Sequence, residues 1–155
     1  MAQQRLIETA ERLFYTEGIH SVGIDRIIAE ANVAKMMLCN HFSSKDDLVL
    51  AVLQFREEHV DQVFSQSNER NVRKGMSRLE VFFAALKKWF ESREFRGCSF
   101  INTLVKLSDS DHTASQFSAA HKKRFHAMLQ NSPWKRWQTT VAPHLEALLA
   151  GLDMF

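Results

Sequence analysis

Five glycines and two prolines are all that punctuate this chain of 155 residues, and a many-stranded β fold needs far more turn-formers than that. The scarcity predicts an all-α protein of long helices joined by few turns. Its apolar runs are short and broken by charges, which excludes a membrane span. Met1-Ala2-Gln3-Gln4-Arg5 leads straight into an amphipathic pattern without a secretory apolar core. Cys39 and Cys98 stand far apart, with no CxxC or CxxH neighbour. Neither a disulfide framework nor a zinc site is expected, and a reducing cytoplasm is the simplest setting.

Helical spacing organises the N-terminal third. Leu6, Ile7, Ala10, Leu13 and Phe14 predict a helix over residues 4–17, with Gly18 as its stop. Ile24, Ile27, Ile28 and Ala31 share one face of a short helix, and Asp25 in its first turn suits the helix dipole. Asn32 interrupts, and a third short helix follows over residues 34–41, anchored by Val33, Leu38 and Phe42. Ser44-Lys45-Asp46-Asp47 is a capping-box pattern opening a longer helix toward residue 64. Residues 65–74 are polar and predict a connection. Helices are then expected around 76–92, 99–107 and 113–130, and from about 138 onward.

Two short helices joined by a tight turn and packed on a preceding helix form a helix-turn-helix. Its turn needs a residue that tolerates positive φ, and Asn is the most permissive after Gly, so Asn32 fits. The helix from Ala34 is a poor core helix, because Lys35, Asn40 and His41 project polar groups while Leu38 and Phe42 tie it down. Such a face suits a DNA major groove. Charge adds little: residues 1–50 hold five Lys/Arg against seven Asp/Glu, whereas residues 112–145 hold five Lys/Arg and no acid. The nucleic-acid reading rests on arrangement.

The runs Ile24-Asp25-Arg26-Ile27-Ile28-Ala29-Glu30-Ala31-Asn32-Val33-Ala34-Lys35 and His41-Phe42-Ser43-Ser44-Lys45-Asp46-Asp47-Leu48 resemble the TetR family of one-component transcriptional regulators. Trp89-Phe90 and Phe95-Arg96-Gly97-Cys98-Ser99-Phe100-Ile101-Asn102 resemble a segment of the ligand-sensing domain in one subgroup. The resemblance implies a helix-turn-helix domain over residues 1–46 and a helical ligand-binding and dimerisation domain over 47–155. It implies a homodimer on a palindromic double-stranded DNA operator, released when a small apolar or amphipathic effector binds, with no cofactor, metal or catalysis. Carried over by position, Ala34, Lys35, Met36, Met37 and Asn40 lie in the groove. His41 and Lys45 hold phosphates, and Arg26 and the start of the second helix near Val22-Gly23 lie close to the backbone. Three positions depart from the family, Asn32 replacing Gly, Met37 replacing Thr and Cys39 replacing Tyr, while Met36 stands where Gly or Met is usual. Loss of the two hydroxyls implies weaker or less selective binding, with methionines pressed on thymine methyls. The chain is also shorter than the family's usual length and stops just after Leu145–Leu152, where a dimerisation helix would begin.

In the C-terminal half, Phe82, Leu86, Trp89, Phe90, Phe100, Phe117, His121 and Phe125 recur at helical spacing. Such a stripe is core by default, and the resemblance adds the reading that some of these residues line an apolar effector cavity. His121 is the polar group of interest there, and the run His121-Lys122-Lys123-Arg124 reads as a solvated helix face. Pro133-Trp134-Lys135-Arg136-Trp137 reads as an interface or cap in preference to a stacking platform for single-stranded nucleic acid. The competing function class is a helical ligand-binding or protein-interaction module that keeps the fold but has lost operator binding. No nucleophile–base set or phosphate-cradling glycine loop supports an enzyme.

Overall fold

A computed structural model of the protein describes residues 2–72 and 78–130. Its described residues form seven helices and no strand: α1 (Ala2–Glu17), α2 (Ile24–Ala31), α3 (Lys35–His41), α4 (Lys45–Val72), α5 (Arg78–Phe90), α6 (Ser99–Leu107) and α7 (Thr113–Gln130). The helix expected from about residue 138 and the Pro133–Trp137 segment lie outside the described residues.

Each of the first three helix ends has a local cause. At the end of α1, Gly18 takes φ +94° and donates its N–H to the Phe14 carbonyl at 3.0 Å, a left-handed cap that a side chain would strain. α2 ends on Asn32 at φ 51°, ψ 56°. There Val33 N–H reaches the Ile28 carbonyl (3.3 Å) and Asn32 N–H reaches Ala29 (3.1 Å), the double closure of a Schellman motif. α3 ends where Phe42 turns extended and buries its ring. α4 begins as the capping box requires, with Ser44 Oγ accepting the Asp47 N–H at 3.0 Å.

One expected boundary is corrected. Residues 65–72 were expected as part of a polar connection but continue α4 to Val72. Polarity removes an amphipathic signal without forbidding a helix, and the Gln, Glu and Arg of this stretch are good helix formers.

The chain divides into two compact units, Met1–Asp61 with Arg96–Ser118, and Gln62–Phe95 with Ala119–Phe155. In the first, α1 packs on α2 and α3, and α2 on α3. Its core gathers Leu6, Leu13, Val22, Ile27 and Leu38 of the first three helices and their links, with Leu48, Val49 and Leu53 of α4, Phe100 of α6 and Ala114 of α7. Polar ties fasten α6 to α1. Tyr15 Oη accepts the Arg96 N–H (2.9 Å) and donates to the Gly97 carbonyl (3.0 Å). At the other end of α6, His20 Nε2 lies 2.8 Å from the Lys106 carbonyl. His112 caps α7, its Nδ1 accepting the Ala114 N–H at 3.1 Å while Nε2 lies 3.4 Å from Asp46 Oδ1. In the second unit Trp89, Phe90 and Phe95 form an aromatic cluster, with ring centroids 5.0–5.6 Å apart.

Candidate nucleic-acid interface

The exposed side of α3 is built by exclusion. Of its seven residues only Leu38 is buried, because this position alone meets the core of α1, α2 and α4. Lys35, Met36, Met37, Cys39, Asn40 and His41 are all exposed, as is Ala34, the extended residue that starts the helix. Met36 keeps 73% of its surface and Met37 38%. Leaving apolar thioethers in water stabilises nothing in the isolated chain. The expected groove residues Ala34, Lys35, Met36, Met37 and Asn40, with the expected phosphate contact His41, are thus brought onto one short exposed helix and its start.

Lys35 Nζ lies 3.3 Å from Asp25 Oδ1, and both side chains are highly exposed, so the pair is weak and the ammonium can be redirected to a phosphate. His41 stands at the last position of α3, its ring tilted against Phe42 at 6.3 Å. Lys45, the first residue of α4, holds its ammonium 5.9 Å from the centroid of the Phe14 ring. Val22 is fully buried, whereas Gly23, the N-cap of α2, is exposed.

Arg26 has a different setting. Its Nη1 and Nη2 donate to the two carboxylate oxygens of Glu17 (2.5 and 2.8 Å), and its Nε donates to Glu30 (2.9 Å). Glu30 also accepts from Arg12 Nη2 at 2.6 Å. A DNA phosphate would have to compete with two carboxylates for this guanidinium. Glu17 and then Glu30, as hydrogen-bond partners, hold Arg26 above its ordinary pKa, and Arg12 followed by Arg26 lowers that of Glu30. A depressed carboxylate pKa contributes stability that is full above its unfolded value and is lost as pH falls through the folded one. Acid unfolding of Glu30→Gln is therefore expected to lose part of the wild-type slope below about pH 4.5, while stability above about pH 6 changes little for so exposed a network. Identical acid limbs in the two proteins would show that the network is not formed in solution.

Sequence reasoning did not find Arg5. Its Nη2 donates across to the carbonyls of Ala31 (2.5 Å) and Asn32 (3.0 Å). Nothing local marks a contact between residues 26 and 27 positions apart.

The residues expected around an effector are distributed over both units. Phe100 and Phe117 lie in the first, where Phe100 is buried and the rings stand 6.5 Å apart. Leu86, Trp89, His121 and Phe125 lie half-buried in the second, with Phe90 half exposed. The side chain of Phe82 lies outside the described residues. In the first unit a cleft of about 40 Å3 opens between α1, α4 and α6, bordered by Tyr15, Arg56, Asn102 and Lys106 among others. It has room for a few water molecules, and none of the eight expected residues borders it. The run 121–124 is not a uniformly solvated face, since Lys122 is buried while Lys123 and Arg124 are exposed. Lys122 continues the buried α7 stripe of Ser115 and Ser118, and a lysine stem packs readily there.

Comparison with known proteins follows the same outline. Residues 6–52 match the family model described as "Bacterial regulatory proteins, tetR family". A crystal structure of a TetR-family transcriptional regulator from Streptomyces coelicolor superposes with a TM-score of 0.73 at 36% identity, covering 82% of this chain and 67% of that one. The chain belongs to the TetR family. Two curated HTH-type transcriptional regulators are similar over shorter spans. The HTH-type transcriptional activator FasR of Mycolicibacterium smegmatis is 44% identical over 61 residues, 39% of this chain and 26% of that protein. The HTH-type transcriptional repressor DhaR of Mycobacterium sp. (strain GP1) is 30% identical over 106 residues, 68% of this chain and 52% of that protein. The chain thus spans about half the length of these curated relatives, or less. Among the described residues, no helix is long and apolar enough to cross a membrane. Nor does any cluster of three or more His, Cys, Asp or Glu residues there suit a metal ion.

Proposed function

We propose that this TetR-family chain is a cytoplasmic, ligand-responsive regulator of transcription that binds a palindromic operator as a homodimer and represses until an effector binds. One observation carries the reading: α3 is anchored by Leu38 alone and turns Lys35, Met36, Met37, Asn40 and His41 to solvent. In the groove, the Asn40 amide suits an adenine edge, Lys35 suits a guanine edge or a phosphate, and the methionines suit thymine methyls. His41 and Lys45 supply phosphate contacts that fix register. Residues 1–46 act as the reading module and 47–155 as the ligand-binding and dimerisation part. The aromatic residues of α5 and α7 favour a small apolar or amphipathic effector. Such an effector shifts the protein between two spacings of the paired reading helices only insofar as it binds one spacing more tightly. Selection from a random duplex library tests the proposal. Enrichment of a palindrome whose binding is lost in His41→Ala/Lys45→Ala supports it, whereas recovery of no sequence overturns it.

A second reading, a helical module that retains the fold without effective operator binding, is favoured by Met37 and Cys39, both exposed where the family carries Thr and Tyr. Met37→Thr/Cys39→Tyr is expected to tighten binding to a selected duplex about fivefold or more on this second reading, since two new phosphate or base bonds contribute roughly 0.5–1.5 kcal/mol each. Titration by fluorescence anisotropy checks it, and unchanged affinity removes the second reading.

A further inference from the structure

The carbonyl end of α2 is also the turn of the helix-turn-helix, so whatever holds that end sets the angle at which α3 is presented. The Schellman closure satisfies the carbonyls of Ile28 and Ala29. Further along the turn, the carbonyls of Ala31 and Asn32 receive Arg5 Nη2. Arg5 pays for this locally, because it sits in the first turn of α1, where the positive end of the helix dipole disfavours a cation. At the end of α2 the same charge meets the negative end of a dipole and two oxygen acceptors. The turn needs such help: Asn32 holds φ 51°, a conformation that glycine enters without steric cost and asparagine enters only with some.

We infer that Arg5 is a positioning residue for DNA reading: its guanidinium staples α1 to the α2–α3 turn and thereby fixes the orientation of the exposed face of α3, without itself contacting DNA. The inference rests on the operator reading proposed above. It adds a residue far in sequence from the groove helix, and one that would otherwise pass for a phosphate-binding arginine.

The role separates from both a phosphate contact and a general contribution to folding. The probes are the duplex selected from the random library and a scrambled duplex of equal length, titrated against full-length wild type, Arg5→Gln, Arg5→Lys and Arg5→Gln/Asn32→Gly. Melting curves are taken alongside, so that every variant is compared while folded. Arg5→Gln is expected to weaken binding to the selected duplex about tenfold or more, and to the scrambled duplex less than about twofold, because misorientation removes base contacts and spares phosphates. The slope of log affinity against log salt stays unchanged. Arg5→Lys recovers little, since a single ammonium lacks the planar fork. Asn32→Gly restores part of the loss by making the turn itself easier. A slope shallower by about 0.9 per protomer would make Arg5 a phosphate contact and overturn the inference. Equal losses on both duplexes, or no loss on either, would also overturn it. Should wild type select no duplex, the operator reading fails, and hydrogen exchange of the free protein still decides on Arg5. The hydrogen-bonded amides of Asn32, Val33 and Met37 exchange about tenfold faster or more in Arg5→Gln if the staple holds the turn, and unchanged exchange would refute it.

Discussion

Ile27→Ala is expected to destabilise the protein by about 3 kcal/mol and to lower its melting midpoint by roughly 10 °C. Ile27 is fully buried and sits near the middle of α2, a helix of eight residues. A helix so short has no stability of its own in water and exists because its apolar face is packed. In α2 that burial rests on Ile27 and Ala31, so truncating Ile27 removes most of what holds the helix against α1. The cavity left is bordered by a core that also carries Leu38 and Leu48, and both the groove helix and the start of α4 should loosen with it. Met36→Ala is the matched control. With 73% of the side chain exposed, its stability should stay within about 0.5 kcal/mol of wild type, while duplex binding falls. Thermal unfolding followed by circular dichroism separates the two. A shift below roughly 3 °C for Ile27→Ala would mean that α2 is not held by the core described here.

Legibility followed the range of the interactions. The first three helices were readable because each carries its own period, its own stop and its own cap within a few residues: Leu6 to Phe14 before Gly18, Ile24 to Ala31 before Asn32, and Ser44 before Asp47. The exposed face of α3 was readable because Leu38 is the one strong apolar residue placed to face inward. α4 was ended too early, since its polar continuation to Val72 lost the amphipathic signal while keeping helix propensity. Contacts made by side chains across long separations left no mark in the sequence. Arg5 on the turn, Tyr15 on Arg96 and Gly97, and Arg12 on Glu30 all depend on which helices meet. The aromatic stripe of the C-terminal half illustrates the same limit. Helical spacing predicted that Phe100, Phe117 and Trp89 would be at least partly buried, but spacing carries no information on which of them share a compact unit.

A shallow salt dependence is expected of duplex binding, with log affinity falling at a slope of about −4 to −5 per dimer against log salt. The first fifty residues hold five Lys/Arg, and three are engaged within the protein: Arg5 on carbonyls, Arg12 on Glu30, Arg26 on Glu17 and Glu30. Lys35 and Lys45 are left as the cations nearest the groove, with His41 beside them on the same exposed face. Two protomers then neutralise roughly four to six phosphates, at about 0.9 of a counterion each. Affinity should fall by a factor on the order of 10²–10³ between about 50 and 200 mM salt. Lys35→Ala/Lys45→Ala should cut the slope by about 3.6 and leave binding nearly insensitive to salt. The same titration locates charge that lies elsewhere. A wild-type slope near −8 or steeper would require either that the arginines leave their carboxylates for phosphates, or that the acid-free stretch 112–145 reaches the DNA. Arg12→Ala/Arg26→Ala separates those cases, because only the first loses slope when these two side chains are removed. A slope unaffected by Lys35→Ala/Lys45→Ala would remove α3 and the start of α4 from the phosphate backbone altogether, and with them the operator reading of this face.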